Sequence, residues 1–323
     1  MKKKLKKGSA LALALVLTLS TVVMSKVQAA ISIETDRQCS VKFELDAVYP
    51  ELSGENMTIP VRMYKVADVN QYGEYQTLAG FEELKLDSIS SKTTAQEWEE
   101  KAKSAVKAVE ENQTEATASD NLIGGKGSVD GLSVGMYLVE AEEVQSPYYT
   151  YSFTPYLISL PNNYYYQTGD DEWVYELSEV VLKPEQTPRY GSLVIDKTLR
   201  DFNATSGAQA TFVFQIDITT LEGKTESRVE AMTMGAGEES QQLTIDQIPA
   251  GASVRVRETY SGASYTQVSD DPDDVTIFAD EAVRVSFENA HDGRPNGGYG
   301  VKNNFKLDEN KQYQYTGDNV STD

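Results

Sequence analysis

A chain that opens like an exported protein carries one cysteine, and this limits its fold more than any other feature. Residues 1–29 begin Met1-Lys2-Lys3-Lys4-Leu5-Lys6-Lys7, pass through an apolar stretch at 10–24, and end Val27-Gln28-Ala29. A basic start, an apolar stretch and small residues at the cut are the parts of a secretory signal peptide. The pattern predicts cleavage after Ala29. An uncleaved anchor helix is the competing reading, but the apolar stretch falls short of the roughly 20 residues that span a bilayer. Secreted domains are commonly stapled by disulfides. Here Cys39 is alone, so no intrachain disulfide can form. Outside a cell, the domains must be held by large cores or by a different covalent crosslink.

Cys39 itself has three readings. A lipid-modified cysteine would sit at the cleavage site, and Arg37-Gln38-Cys39 lies well past it. A reactive thioester would need a glutamine partner that the sequence does not assign. The third reading is a small buried hydrophobe at the start of a strand, which is how free cysteine commonly packs. The net charge of −21 becomes −27 once the six lysines of residues 1–29 are removed, because that segment has no acid. Such a charge repels nucleic acid and anionic lipid and favours solubility. One histidine and one cysteine argue against nucleophilic triads and metal clusters, and no cofactor or metal site is expected. A secreted glycosidase would need a carboxylate pair across a cleft, and no pair stands out among 50 acids.

The chain divides by composition into a signal peptide (1–29), a first domain (30–187), a second domain (188–290) and a flexible acidic tail (291–323). Lys183-Pro184-Glu185-Gln186-Thr187-Pro188-Arg189 reads as an extended linker because two prolines sit among polar residues. In the first domain, alternation predicts half-buried strands at 41–45 and 59–66, with Val61 and Met63 opposing Arg62, Tyr64 and Val66. Further strands are expected at 135–140, 155–161, 173–177 and 180–182. One helix interrupts them. Thr94 and Glu97 form a capping-box pattern, and Trp98, Ala102, Ala105, Val106 and Val109 share one face. The tyrosines at 148, 149, 151, 156, 164, 165 and 166 serve either sheet packing or a binding face. The second domain reads as strands alone, at 192–197, 210–218, 242–245, 254–258, 275–277 and 283–289. Short strands without a helix argue for a sandwich.

Lys197, Glu258 and Asn289 lie in or at the end of the first, middle and last regions of that strand series. If all three point inward, burial lowers the lysine pKa and makes a neutral amine, while burial favours the protonated form of a carboxyl. The acid can then hydrogen-bond and polarise the asparagine carbonyl. The amine attacks, ammonia leaves, and an amide joins the two strands, driven by proximity in the folded core. Three exposed strand residues are the alternative.

The second domain resembles the Cna B-type, or streptococcal pilin isopeptide-linkage, domains of Gram-positive surface proteins. The resemblance lies in Gly191-Ser192-Leu193-Val194-Ile195-Asp196-Lys197, in Ile248-Pro249-Ala250-Gly251, in Val254-Arg255-Val256-Arg257-Glu258-Thr259 with Tyr265 after it, and in Val285-Ser286-Phe287-Glu288-Asn289. It implies a crosslink between Lys197 and Asn289 catalysed by Glu258. The first domain resembles the N-terminal domain of sortase-assembled pilins through Val61-Arg62-Met63-Tyr64-Lys65-Val66, residues 131–140, residues 155–161 and residues 173–184. Two departures imply that no such bond forms there: Ala141 stands where Glu258 would, and no asparagine ends the last strand. Leu182-Lys183-Pro184-Glu185 inverts the Lys and Pro of the family's pilin motif, which leaves Lys183 as a candidate sortase acceptor only. The sequence ends Val320-Ser321-Thr322-Asp323, without the sorting signal of sortase substrates. The implied fold is all-β: two tandem immunoglobulin-like sandwiches, the first with an inserted surface helix. The implied role is a secreted, non-enzymatic pilus or fibrillar subunit on a Gram-positive-type surface. Other pilin subunits, sortase, or a host or matrix ligand are the expected partners, and nucleic acid and membrane are not. The alternative is a monomeric adhesin that binds through the Tyr-rich first domain.

Overall fold

The computed structural model describes residues 32–45, 49–54, 56–90, 92–163, 172–201, 209–293, 305–307 and 313–315. The expected signal peptide, Tyr164, Tyr165, Tyr166 and most of the tail lie outside them. The chain divides into two compact units between Arg189 and Tyr190.

Unit 1 runs β1 (Cys39–Glu44), β2 (Thr58–Val69), β3 (Tyr75–Thr77), α1 (Ala95–Asn112), β4 (Ala118–Ile123), β5 (Lys126–Leu132), β6 (Gly135–Ala141), β7 (Val144–Gln145), β8 (Tyr149–Phe153), β9 (Tyr156–Leu160), β10 (Asn162–Asn163), β11 (Trp173–Val174), β12 (Glu176–Val181) and β13 (Pro184–Pro188). The main sheet follows the order β12-β1-β5-β4-β2-β6-β9, with β3 on β2. A second sheet, β13-β8-β7, supplies Val144, Tyr149, Tyr151 and Phe153 to the core on one face.

The other face is covered by α1. Thr94 Oγ1 accepts from Glu97 N at 3.2 Å, and the Glu97 carboxylate accepts from Thr94 N at 2.6 Å, so both halves of the capping box form. Ala102, Ala105 and Val109 are buried in a cluster with Tyr64, Val66, Met136 and Leu138. This corrects the half-buried reading of residues 59–66. Val61 and Met63 fill one core while Tyr64 and Val66 fill the other, because the helix removes the solvent face. The linker reading is also corrected. Residues 184–188 pair antiparallel with β8 from Pro184↔Phe153 to Pro188↔Tyr149, so they belong to unit 1. Proline suits this position because it lies on a sheet edge.

Unit 2 contains β14 (Tyr190–Arg200), β15 (Ala210–Thr219), β16 (Thr225–Met234), β17 (Ser240–Pro249), β18 (Ser253–Tyr260), β19 (Tyr265–Gln267), β20 (Val275–Thr276) and β21 (Ala282–His291). They form two four-stranded sheets, β17-β14-β21-β19 and β16-β15-β18-β20. Leu193, Ile195 and Phe287 from the first sheet pack with Phe212, Phe214, Ile216 and Val254 from the second. The first and last of these strands are parallel neighbours, from Ser192↔Ala282 to Arg200↔Ala290. Close packing needs Gly191: a Cβ there would lie 2.0 Å from the Phe278 carbonyl oxygen. The segment expected to be a flexible tail contains a short hairpin, β22 (Phe305–Leu307) with β23 (Tyr313–Tyr315). No described helix is long and apolar enough to cross a membrane.

Because α1 seals the second face of the main sheet, Leu138→Ala should lower the stability of unit 1 by about 3 kcal/mol, the usual result for a fully packed leucine. A denaturation midpoint unchanged from the parent protein would place that face in solvent.

Candidate functional site

In β14 the residues of odd number face the core. Leu193, Ile195, Lys197 and Leu199 are all buried, and Lys197 has no exposed surface. Strand alternation thus forces an ammonium-bearing chain among apolar neighbours. In β21 the same logic buries Val285, Phe287 and Asn289. The parallel register sets Lys197 against Phe287 and Leu199 against Asn289. Lys197 and Asn289 therefore share the inner face of one sheet as diagonal neighbours.

Glu258 comes from the opposite sheet. Val254 and Val256 precede it at inward positions, and its side chain is fully enclosed. A bulge follows at once: Phe214 pairs with Glu258, but Val213 pairs with Tyr260. The extra residue, Thr259, turns the next side chain around, and Tyr260 is 48 % exposed. Glu258 is the last inward residue of its strand.

The three side chains meet. Lys197 Nζ donates to Glu258 Oε2 at 2.5 Å, and Asn289 Nδ2 donates to Glu258 Oε1 at 2.5 Å. One carboxyl thus bridges the amine and the amide. Lys197 Nζ also lies 4.5 Å from the centroid of the Phe212 ring. Burial pulls the Lys197 pKa below the ordinary lysine value, and the hydrogen bond and charge of Glu258 only partly oppose this.

One detail differs from the sequence expectation. Glu258 was expected to meet the carbonyl of Asn289, but it faces the amide nitrogen. The Ser261 carbonyl explains the orientation: it can only accept, and Nδ2 donates to it at 3.3 Å. Asn289 Oδ1 is left buried without a partner. Sequence reasoning missed Ser261 because its contribution is a backbone carbonyl in a loop.

The remaining candidates do not join this site. Lys183 is exposed, and its carbonyl accepts from Thr154 N at 3.1 Å at the mouth of β13. Of the described tyrosines of the Tyr-rich stretch, Tyr149, Tyr151 and Tyr156 pack in or against the core of unit 1. Tyr151 is buried, donates to Glu51 Oε2 at 2.9 Å, and meets Tyr49 edge to face at 5.9 Å. Tyr148, Tyr149 and Tyr156 are half-buried. Tyr164, Tyr165 and Tyr166 lie outside the described residues. Cys39 is buried, and burial raises its thiol to about 11. Among the described residues no cluster of His, Cys, Asp and Glu is arranged to hold a metal.

A family model described as "Domain of unknown function (DUF5979)" matches residues 193–292, a span that holds Lys197, Glu258 and Asn289. No curated protein matches the chain. Solved structures to which it is similar include Gram-positive pilins. GBS52, the minor pilin of Streptococcus agalactiae, is 13% identical with a TM-score of 0.24, over 82% of this chain and 100% of that one. The full-length major pilin SpaD of Corynebacterium diphtheriae is 11% identical with a TM-score of 0.27, over 81% and 99%. The Bacillus anthracis TIE protein is 10% identical with a TM-score of 0.29, and the match covers 78% of this chain but 34% of that one.

A thiol that is both buried and held protonated should not react. Cys39 is expected to resist a maleimide reagent in the native protein at neutral pH and to label fully in denaturant. Rapid native labelling would mean that the start of β1 is open to solvent.

Proposed function

We propose that this chain is a secreted structural subunit of a pilus or fibrillar adhesin on a Gram-positive-type cell surface. Unit 2 is locked by an intramolecular amide between Lys197 and Asn289. The observation that carries this reading is the bridge of one enclosed carboxyl between an enclosed lysine amine and an enclosed asparagine amide.

The contacts support the following course. Transfer of one proton from the ammonium to the carboxylate gives a neutral amine and a neutral acid, the forms that an apolar core favours. With the acid proton on Oε1, Nζ attacks Asn289 Cγ. Nζ passes a proton to Oε2 while Oε1 passes its proton to Nδ2. The Cγ–Nδ2 bond breaks, ammonia departs, and the Nζ–Cγ amide remains. Glu258 ends protonated, as it began this step. Fixed geometry replaces a chance encounter, which is where most of the acceleration arises. The reaction happens once per molecule, so the chain is its own substrate and not a turnover enzyme.

The crosslink supplies what the lone cysteine cannot. It closes a loop of roughly 90 residues, and by the chain-entropy argument used for disulfides such a closure contributes about 4–5 kcal/mol. Glu258→Ala should abolish the crosslink and lower the melting temperature of unit 2 by on the order of 20 °C. Equal melting temperatures for the two proteins would remove the crosslink from the account.

A covalent tie between first and last strands also predicts a mechanical result. Pulled from both ends, the parent protein should show no extension from residues 198–288. Glu258→Ala should release a step of roughly 300 Å, about 3.4 Å for each of the freed residues. The surface role is tested on cells of the source strain. A covalent high-mass ladder detected with antibody to this chain is expected, and Lys183→Ala should collapse it if Lys183 is the acceptor. A persistent ladder in that variant would move the acceptor to another lysine. A released monomer in the parent would contradict the polymer reading.

A further inference from the structure

Lys197 has a carboxamide on each side. On one flank β21 carries Asn289. On the other, β17 carries Gln241, which pairs directly with Lys197 in the antiparallel register. Directly paired residues point to the same face, with Cβ atoms about 5 Å apart. Gln241 therefore projects on the core side, in phase with Leu243 and Ile245, which pack in or against the core of unit 2. Among the described residues, four buried side-chain polar atoms have no hydrogen-bond partner, and Asn289 Oδ1 and Gln241 Oε1 are two of them. The strands on both sides of one buried lysine thus each carry an unpartnered amide oxygen.

A neutral lysine amine has two N–H bonds and one lone pair. Glu258 Oε2 takes one N–H, and it is the one hydrogen-bond acceptor of Nζ among the described residues. The destination of the second N–H decides where the lone pair points. The Phe212 ring occupies another side of the amine. The one orphan acceptor on the flank away from Asn289 is Gln241 Oε1.

We infer that Gln241 is a positioning residue for crosslinking: its Oε1, without a partner among the described residues while Lys197 Nζ is held by Glu258, takes the second N–H of the amine once the lysine is neutral and so turns the lone pair toward Asn289 Cγ. The inference rests on the crosslinking reading of the site. Gln241 gains and loses no bond in the reaction. Its amide stays neutral, so it holds the amine without stabilising the ammonium as a second carboxylate would. Glu258, from β18, is the charged group that faces Lys197; β15 presents Phe212, β21 presents Phe287 and Asn289, and β17 presents Gln241.

The test follows bond formation in residues 30–323, the chain without its expected signal peptide. The chain is made by cell-free translation, quenched at intervals in acid and denaturant, and weighed intact. Gln241→Met fills a similar volume without an acceptor oxygen. It is expected to slow the loss of about 17 Da roughly tenfold at the pH plateau. Gln241→Glu keeps an acceptor oxygen. It should restore the plateau to within about twofold and move the rising limb of the rate to higher pH, because a carboxylate beside the amine favours its charged form. A rate for Gln241→Met equal to that of the parent would overturn the inference. So would a Gln241→Glu rate as slow as Gln241→Met with an unmoved pH profile. In the Glu258→Ala background, Gln241→Met should melt within a few degrees of Glu258→Ala alone. If it unfolds instead, the displacement of the Gln241→Glu profile decides. A crosslinked peptide joining Lys197 to Gln241 would also overturn the inference, since Gln241 would then be the group attacked. If the parent chain itself never loses the mass, the crosslinking reading fails first.

Discussion

A lysine enclosed by a β-sandwich must find a partner or give up its charge, and unit 2 is arranged so that Lys197 can do both. Its one hydrogen-bond acceptor among the described residues is Glu258, equally enclosed, and burial lowers its proton affinity. As an ion pair the two would be a costly feature of an apolar core, because desolvation offsets much of their attraction. As amine and acid they are far less costly, and they become reactive. Everything that defines the site serves this closeness: the alternation of β14, the parallel register with β21, and the bulge that ends the inward run of β18. The orphan Oδ1 of Asn289 marks the same tension, since a buried carbonyl oxygen without a donor costs about 1–3 kcal/mol.

The position of the three residues matters as much as their chemistry. β14 opens unit 2 and β21 closes its sandwich, and the two lie side by side in parallel. The proposed bond between residues 197 and 289 would carry tension from one end of the sandwich to the other without loading the strands between them. Unit 1 holds no equivalent arrangement among its described residues. Its stability rests on two cores that share one sheet, one closed by β7, β8 and β13 and the other by α1. The two units, neither of which has a disulfide among its described residues, are therefore held by different physical means.

Much of this was legible before any coordinates. The residue types singled out Lys197, Glu258 and Asn289 but left open whether they point inward, and the Thr94–Glu97 spacing marked the start of α1. The rest depended on information that is not local. Residues 59–66 looked half-buried because nothing in their own pattern says that a helix some 30 residues away will cover Tyr64 and Val66. The segment 225–234 gave no strand signal, since β16 is an edge strand. Its Glu226, Arg228 and Glu230 pair with Ile218, Ile216 and Phe214 at the rim of the core; charges at such positions protect an edge from further pairing. The two prolines near residue 186 suggested a linker, yet a sheet edge tolerates them equally well. Gln241 and Ser261 were invisible for a simpler reason. One matters through a cross-strand register and the other through a backbone carbonyl, and neither leaves a mark in residue type.

The most direct test of the central claim is the intact mass of the purified mature protein, followed by mapping of its proteolytic peptides. A crosslinked unit 2 should weigh less than its sequence by one ammonia, about 17 Da, with the deficit in a branched peptide that joins Lys197 to Asn289. A full, unmodified mass, with Lys197 and Asn289 recovered in separate linear peptides, would contradict it.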